Sequence, residues 1–190
     1  MKISSIKQKG FTLIELMVTV GIFVLMTGLI LARYGSFNQG ILLTNLAYDV
    51  ALTIRSAQSY GLNVKSVPNS SVNFSNEFNY PFGVHFKKDS KFFILFADAD
   101  VDGRFDSGED ISTTNIKRGS KVGILCVGTE SSCDSSINTL DIAFKRPDPV
   151  AHIQSGGYLD GNAYAEITLV AIDGSTKKVI VRSTGQIAVQ

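Results

Sequence analysis

Residues 98–109 read Asp98-Ala99-Asp100-Val101-Asp102-Gly103-Arg104-Phe105-Asp106-Ser107-Gly108-Glu109. Acids stand at the first, third, fifth, ninth and twelfth places and glycine at the sixth, the spacing at which one chain wraps a calcium ion. Each place has a chemical reason. The alternate carboxylates of Asp98, Asp100 and Asp102 converge on one hard cation, and Gly103 permits the sharp reversal. The Arg104 carbonyl adds a backbone oxygen, Asp106 binds through water, and Glu109 closes the shell with two oxygens. With Asp110 the segment 98–110 carries six acids against one arginine, so it repels itself until a cation is supplied. The expected affinity is that of extracellular modules, about 10⁻⁴–10⁻³ M. The competing reading is an exposed acidic hairpin that holds nothing, and the run before it is strand-like where a helix usually precedes such a loop.

Cys126 and Cys133 are the two cysteines, with six residues between them. A bridge here closes a small loop and contributes roughly 2.5 kcal/mol in the chain-entropy view. Two reduced thiols are the alternative, separable by alkylation before and after reduction. Zinc is disfavoured, because neither His85 nor His152 stands at ligand spacing from the pair.

Other chemistry is scarce. The chain has no phosphate-binding glycine loop, no Gly-x-Ser-x-Gly, no His-Glu-x-x-His and no dinucleotide fingerprint. Carboxylates such as Asp141 and Asp160 more often face water than catalyse, so no enzyme is expected. With 18 basic and 17 acidic residues the net charge is +1, which leaves no broad basic field for non-specific nucleic-acid binding. Two small basic clusters remain, Lys117, Arg118 and Lys121, then Lys177, Lys178 and Arg182. They suit weak phosphate contacts or, more simply, solvated strand faces.

The elements that must carry these residues follow from periodicity. Beyond Pro68 the chain alternates short runs rich in valine, isoleucine and phenylalanine with turns, predicting strands at 82–87, 91–97, 121–127, 139–145, 164–172, 177–182 and 186–189. Asp173-Gly174-Ser175 and Ser183-Thr184-Gly185 mark hairpins, which favours antiparallel pairing. Residues 69–79, rich in Asn and Ser, read as a surface loop. Before them Leu43, Ala47, Val50, Ile54 and Ala57 recur at helical spacing up to Gly61, taken as the glycine that stops an amphipathic helix. Gly35 and Gly40 bracket a stretch expected to weaken the helix. The class is α+β: a long amino-terminal helix, one half membrane-spanning and one half amphipathic, packed on an antiparallel sheet.

The overall mean hydropathy of +0.16 across 190 residues conceals one segment. Residues 11–32 hold a single charge, Glu15, and as a helix extend about 33 Å, enough to cross a hydrocarbon core of about 30 Å. Lys2, Lys7 and Lys9 precede it without an acid, which sets the start of the chain in the cytoplasm and the bulk outside. Gly21, Gly28 and Ala32 place small side chains along one helix face, either for a close helix neighbour or as the ordinary glycine content of a membrane helix. An unpaired carboxylate one turn into such a segment costs about 2.5–3.5 kcal/mol and calls for a partner, unless the helix start itself favours it.

Gly10-Phe11-Thr12-Leu13-Ile14-Glu15-Leu16 after a short lysine-bearing leader resembles the prepilin signature of type IV pilins and type II secretion pseudopilins. The resemblance implies cleavage by prepilin peptidase between Gly10 and Phe11, methylation of the new Phe11 amine, and retention of the anchor. It implies that Glu15 pairs with the terminal amine of a neighbouring subunit when the helix joins a filament. The division expected is a leader at 1–10, a membrane helix at 11–33, its amphipathic continuation at 34–61 and an extracytoplasmic β-rich head at 62–190. The closing hairpin and chain length look most like minor pilins and pseudopilins of the H or fimbrial T type. Alternatives are the same scaffold presenting a surface for DNA uptake or adhesion, and a simple anchored domain.

Overall fold

The computed structural model describes residues 10–63, 80–156 and 162–190. The leader lysines, the 69–79 loop and Asp160 lie outside them. The chain divides into two compact units, Met1–Asn38 and Gln39–Gln190. Among the described residues one helix, α1, is assigned over Leu13–Leu62.

In the first unit Thr12 precedes the helix as its cap. Its Oγ1 accepts from the Glu15 N–H at 3.3 Å, satisfying one of the donors that a helix start leaves over. Leu13–Ala32 is long and apolar enough to cross a membrane by length and composition, and none of it is buried.

In the second unit the helix turns one face inward. Leu43, Ala47, Val50, Ala51, Ile54 and Ala57 are all buried, at the spacing the sequence predicts, and they share one hydrophobic cluster with both sheets. Helix is assigned through residues 35–40, the stretch in which the sequence expects a weakening. Gly61 does not stop the helix: it is helical, and a side chain there would meet the Phe144 carbonyl oxygen at 2.3 Å. It is a glycine of close approach, not of termination.

Among its described residues the head has ten strands. These are β1 (Phe82–Lys87), β2 (Phe92–Ala97), β3 (Asp110–Asn115), β4 (Lys121–Gly128), β5 (Cys133–Asp134), β6 (Thr139–Phe144), β7 (Ala151–Gln154), β8 (Tyr164–Val170), β9 (Thr176–Arg182) and β10 (Ile187–Val189). They form two five-stranded sheets, ordered β3-β2-β1-β6-β7 and β10-β9-β8-β4-β5, antiparallel at every pairing. The α+β class is as expected. Alternation sends Phe82, Val84 and Phe86 of β1 into the core, with Leu140, Ile142 and Phe144 of β6 beside them. Gly83, His85, Asp141 and Ala143 belong to the opposite face of the same sheet. Three strands lie outside the expected runs: β3 is polar and exposed, β5 has two residues, and β7 is four residues after Pro149.

Candidate functional site

The acidic loop joins β2 to β3 and is bound together by its own carboxylates. Asp98 is fully buried. Its Oδ1 accepts from the N–H of Val101 at 2.7 Å and of Asp102 at 3.2 Å, and its Oδ2 from Gly103 at 2.8 Å. Asp100 Oδ1 accepts from Asp102 N–H at 3.4 Å, and Asp102 Oδ1 from Arg104 N–H at 2.8 Å. Each aspartate thus bends the chain back over itself two to five residues on. Gly103 takes φ +82°, where a side chain would be strained and would also strike Gln154.

Glu109, also buried, ties the two ends. Its Oε1 accepts from Ala99 N–H at 2.6 Å and its Oε2 from Asp106 N–H at 2.9 Å. One carboxylate oxygen each of Asp98, Asp100 and Asp102 lies within 4.8 Å of the others. Of the six residues expected to hold a cation, the side chains of Asp98, Asp100 and Asp102 meet, Asp106 and Glu109 are joined to each other within the same loop, and Arg104, expected to contribute its carbonyl, sends its side chain to Gln154. Burial pushes the Asp98 carboxyl up to about 7, against the pull of the Gly103 and Val101 amides and with the Glu109 charge adding to the rise. Burial likewise raises Glu109, the amides of Ala99 and Asp106 opposing it.

The loop is docked on the outward face of the first sheet by residues that sequence reasoning missed. Gln154 of β7 donates from Nε2 to the Asp102 carbonyl at 2.8 Å and accepts from Arg104 Nε at 2.8 Å. Phe105 lies over His85 at 5.0 Å between centroids and edge-on to Phe96 at 5.7 Å. His85 Nδ1 stands 2.6 Å from Asp141 Oδ1 across the directly paired positions of β1 and β6. Burial raises the Asp141 carboxyl, and the hydrogen bond with His85 opposes the rise. Asp141 is therefore a buried, partnered acid. The only signal for it was the shared outward alternation of His85 and Asp141 on their strands, invisible until the strands are paired. A cavity of about 200 Å³ opens where Asp98, Asp102 and Gly103 face Lys145, His152 and Gln154.

Cys126 and Cys133 are joined by a disulfide with Cα atoms 5.6 Å apart, linking β4 to β5 beside the Gly128–Cys133 pairing. The basic clusters are partly neutralised. Lys121 pairs with Asp89, Lys178 with Glu166 and Arg182 with Glu130.

At the amino-terminal end Gly10 and Phe11 are exposed ahead of the helix, and Glu15 sits in its first turn, where the helix macrodipole favours an acid. Residues 6–31 match the prokaryotic N-terminal methylation motif. The chain thus carries a type IV pilin-like signal, and the match encloses Gly10, Phe11 and Glu15 as well as most of the apolar span. The motif fits membrane anchoring of a pilin-like precursor. No curated protein and no solved structure matches the chain significantly.

Proposed function

We propose that this chain is a minor pilin or pseudopilin, of the H or fimbrial T type, a structural subunit and not an enzyme. The observation that carries the reading is the methylation motif at residues 6–31 laid over a helix that is apolar on every side. Prepilin peptidase cuts after Gly10 on the cytoplasmic face, Phe11 is N-methylated, and the helix stays in the membrane with the head outside until it enters a type IV pilus or a type II secretion-like filament. There Glu15 meets the amine of a neighbouring subunit's first residue. Either charge alone is penalised in a packed apolar core, so the pair sets the axial register of subunits. The strand-rich head closed by the β9–β10 hairpin supports the narrower type. The pairing of Lys121, Lys178 and Arg182 with acids speaks against a nucleic-acid surface as the main role.

The test is the mass of the amino-terminal peptide from native membranes. A start at Phe11 with one added methyl group supports the reading. A chain still beginning at Met1 beside an active peptidase overturns it.

The same proposal places calcium in the acidic loop, where it serves structure. The donor set suits a hard cation: the carboxylates of Asp98, Asp100 and Asp102 already converge, and two further acids, Asp106 and Glu109, belong to the same loop. Asp98, Asp100 and Asp102 would supply carboxylate oxygens, Arg104 its carbonyl, Asp106 a water-mediated contact and Glu109 its two oxygens. A bound dication removes the mutual repulsion and holds Asp98 ionised despite its burial. Titration calorimetry that gives heat for the native chain and none for Asp98→Ala supports this; no heat for the native chain ends it.

A further inference from the structure

Two turns of the second unit meet at one end of the head. Between β3 and β4 the chain reverses with Arg118 at φ +61° and Gly119 at φ +76°, both in the left-handed region that tight reversals use. Between β8 and β9 the Gly174 N–H donates to the Ala171 carbonyl at 3.1 Å, and the Ala171 N–H to the Ser175 carbonyl at 2.9 Å. The turns touch, since a side chain on Gly119 would strike Ile172 Cδ1 at 2.2 Å.

The surface they make is amphipathic. Ile172 is 71% exposed, more than any other large hydrophobic residue described in the head, at a turn position usually given to a polar residue, glycine or proline. Its neighbour Asp173 is engaged within the turn, where its Oδ1 accepts from the Ser175 N–H at 3.0 Å and hydroxyl at 2.6 Å. Lys117 and Arg118 are exposed and have no ion-pair partner among the described residues, whereas Lys121 pairs with Asp89. Beside them a cavity of about 350 Å³ opens against the helix, within the size range of ligand clefts. Leu42, Leu46 and Ile116 give it an apolar lining, Lys117 and Arg118 supply cations, and Asp49 is its one acid among the described residues.

We propose that this end of the head docks on the bilayer that holds Leu13–Ala32, with Lys117 and Arg118 taking the phosphate of an anionic phospholipid at the cavity mouth and Ile172 entering between headgroups. Basic residues flanking an exposed apolar side chain suit an anionic interface, where both kinds of group gain together. A nucleic acid would use the two cations but leave Ile172 in water. The tether favours lipid as well. Ten residues lead from Ala32 to Leu42, at most about 36 Å of chain in any conformation, so headgroups are present at high effective concentration. The proposal rests on the membrane-anchor reading of Leu13–Ala32 and does not require filament assembly.

The experiment uses the full chain in vesicles of phosphatidylcholine, with or without phosphatidylglycerol. An apolar nitroxide is attached at Ile172→Cys or, in the exposed turn at the other end of β9, at Thr184→Cys. Its relaxation by a water-soluble nickel chelate is compared with that by oxygen, which concentrates in lipid. With phosphatidylglycerol present, position 172 is expected to be shielded from the chelate and open to oxygen, and position 184 the reverse. Lys117→Gln with Arg118→Gln should lower the ratio of docked to free head roughly thirtyfold, the loss expected from two basic residues at an anionic surface. Salt at about 1 M, where the screening length falls to about 3 Å, should do the same to the chain with both cations intact. Retention of the Cys126–Cys133 disulfide checks that the glutamine variant folds, and the salt comparison decides without it if it does not. Equal chelate access at 172 and 184, or the same shielding with and without phosphatidylglycerol, overturns the proposal. A chain that alkaline carbonate strips from the vesicles loses the anchor reading and the docking with it; one that resists carbonate and shows no shielding loses the docking alone.

Discussion

Two stretches of one helix, Leu13–Ala32 and the turns from Leu43 to Ala57, show opposite solutions to the same problem. In the first, none of the apolar surface is buried; in the second, one stripe is buried almost completely against the sheets. A helix apolar on every side has no inward face to satisfy, so its stability depends on what surrounds it. A striped helix carries its own solution, because the partner surface is in the same chain. The division between internal and external partners extends to the rest of the molecule. The disulfide is internal, whereas the buried acid Asp98 accepts from three backbone amides and has no ion-pair partner among the described residues.

The comparison breaks most sharply at Glu15. Glu15→Val removes the one charge of the apolar segment, so insertion should improve slightly while incorporation into sheared filaments falls to background. Fractionation and filament immunoblots read the two separately. Loss of membrane insertion, or filaments at the native level, would mean that the carboxylate has no outside partner. Ile54→Ala is the counterpart in the striped half. It opens a cavity at a fully buried position and should cost the head about 2–5 kcal/mol, measured by denaturant unfolding of the chain in detergent. Leu25→Ala, two-thirds exposed in the first unit, should leave that unfolding curve where it is.

The same distinction accounts for what could be read from residues alone. The buried stripe from Leu43 to Ala57 and the long strands declared themselves because periodicity records burial against the chain's own core. β3 was missed for the opposite reason: Asp-Ile-Ser-Thr-Thr-Asn buries little, and only pairing with β2 makes it a strand. Gly61 was misassigned because composition cannot tell a glycine that ends a helix from one that lets Phe144 come close. At the loop, the alternating aspartates were legible as a spacing. Gln154 and the His85–Asp141 pair were not, being 50 or more residues distant in sequence and joined only by sheet register.

Asp98 tests the external class within the head. Its carboxyl titrates near 7 in the fold and near 3.8 in the unfolded chain, so between those values the folded state binds the extra proton. The contribution of Asp98 to the stability of the chelator-treated head is therefore fully present below about pH 4, falls as pH rises through the interval and is gone above about 7. The full drop is at most about 4 kcal/mol, from 1.36 kcal/mol per pK unit, and solvent relaxation reduces it. Asp98→Asn should flatten the slope, and excess calcium should flatten it in the native chain. Unfolding midpoints measured across pH with chelator and with calcium decide the matter; a slope unchanged in Asp98→Asn would place its origin elsewhere, the buried acids Glu109 and Asp141 being the next candidates.

The smallest effect belongs to the internal staple. Replacing Cys126 and Cys133 together by serine frees a loop of few residues, worth roughly 2.5 kcal/mol in the chain-entropy model. β5 is exposed and pairs only with the end of β4 among the described residues, so nothing else in the core depends on it. The loss should appear first as local opening. Limited proteolysis should cut between residues 129 and 136 in the double variant and not in the native chain, while amides of β8 and β9 keep their protection from exchange. Ile54→Ala should do the reverse, lowering protection throughout the head without creating that cut. If the serine variant instead loosens β8 and β9, the disulfide supports the second sheet as a whole and not just one of its edges.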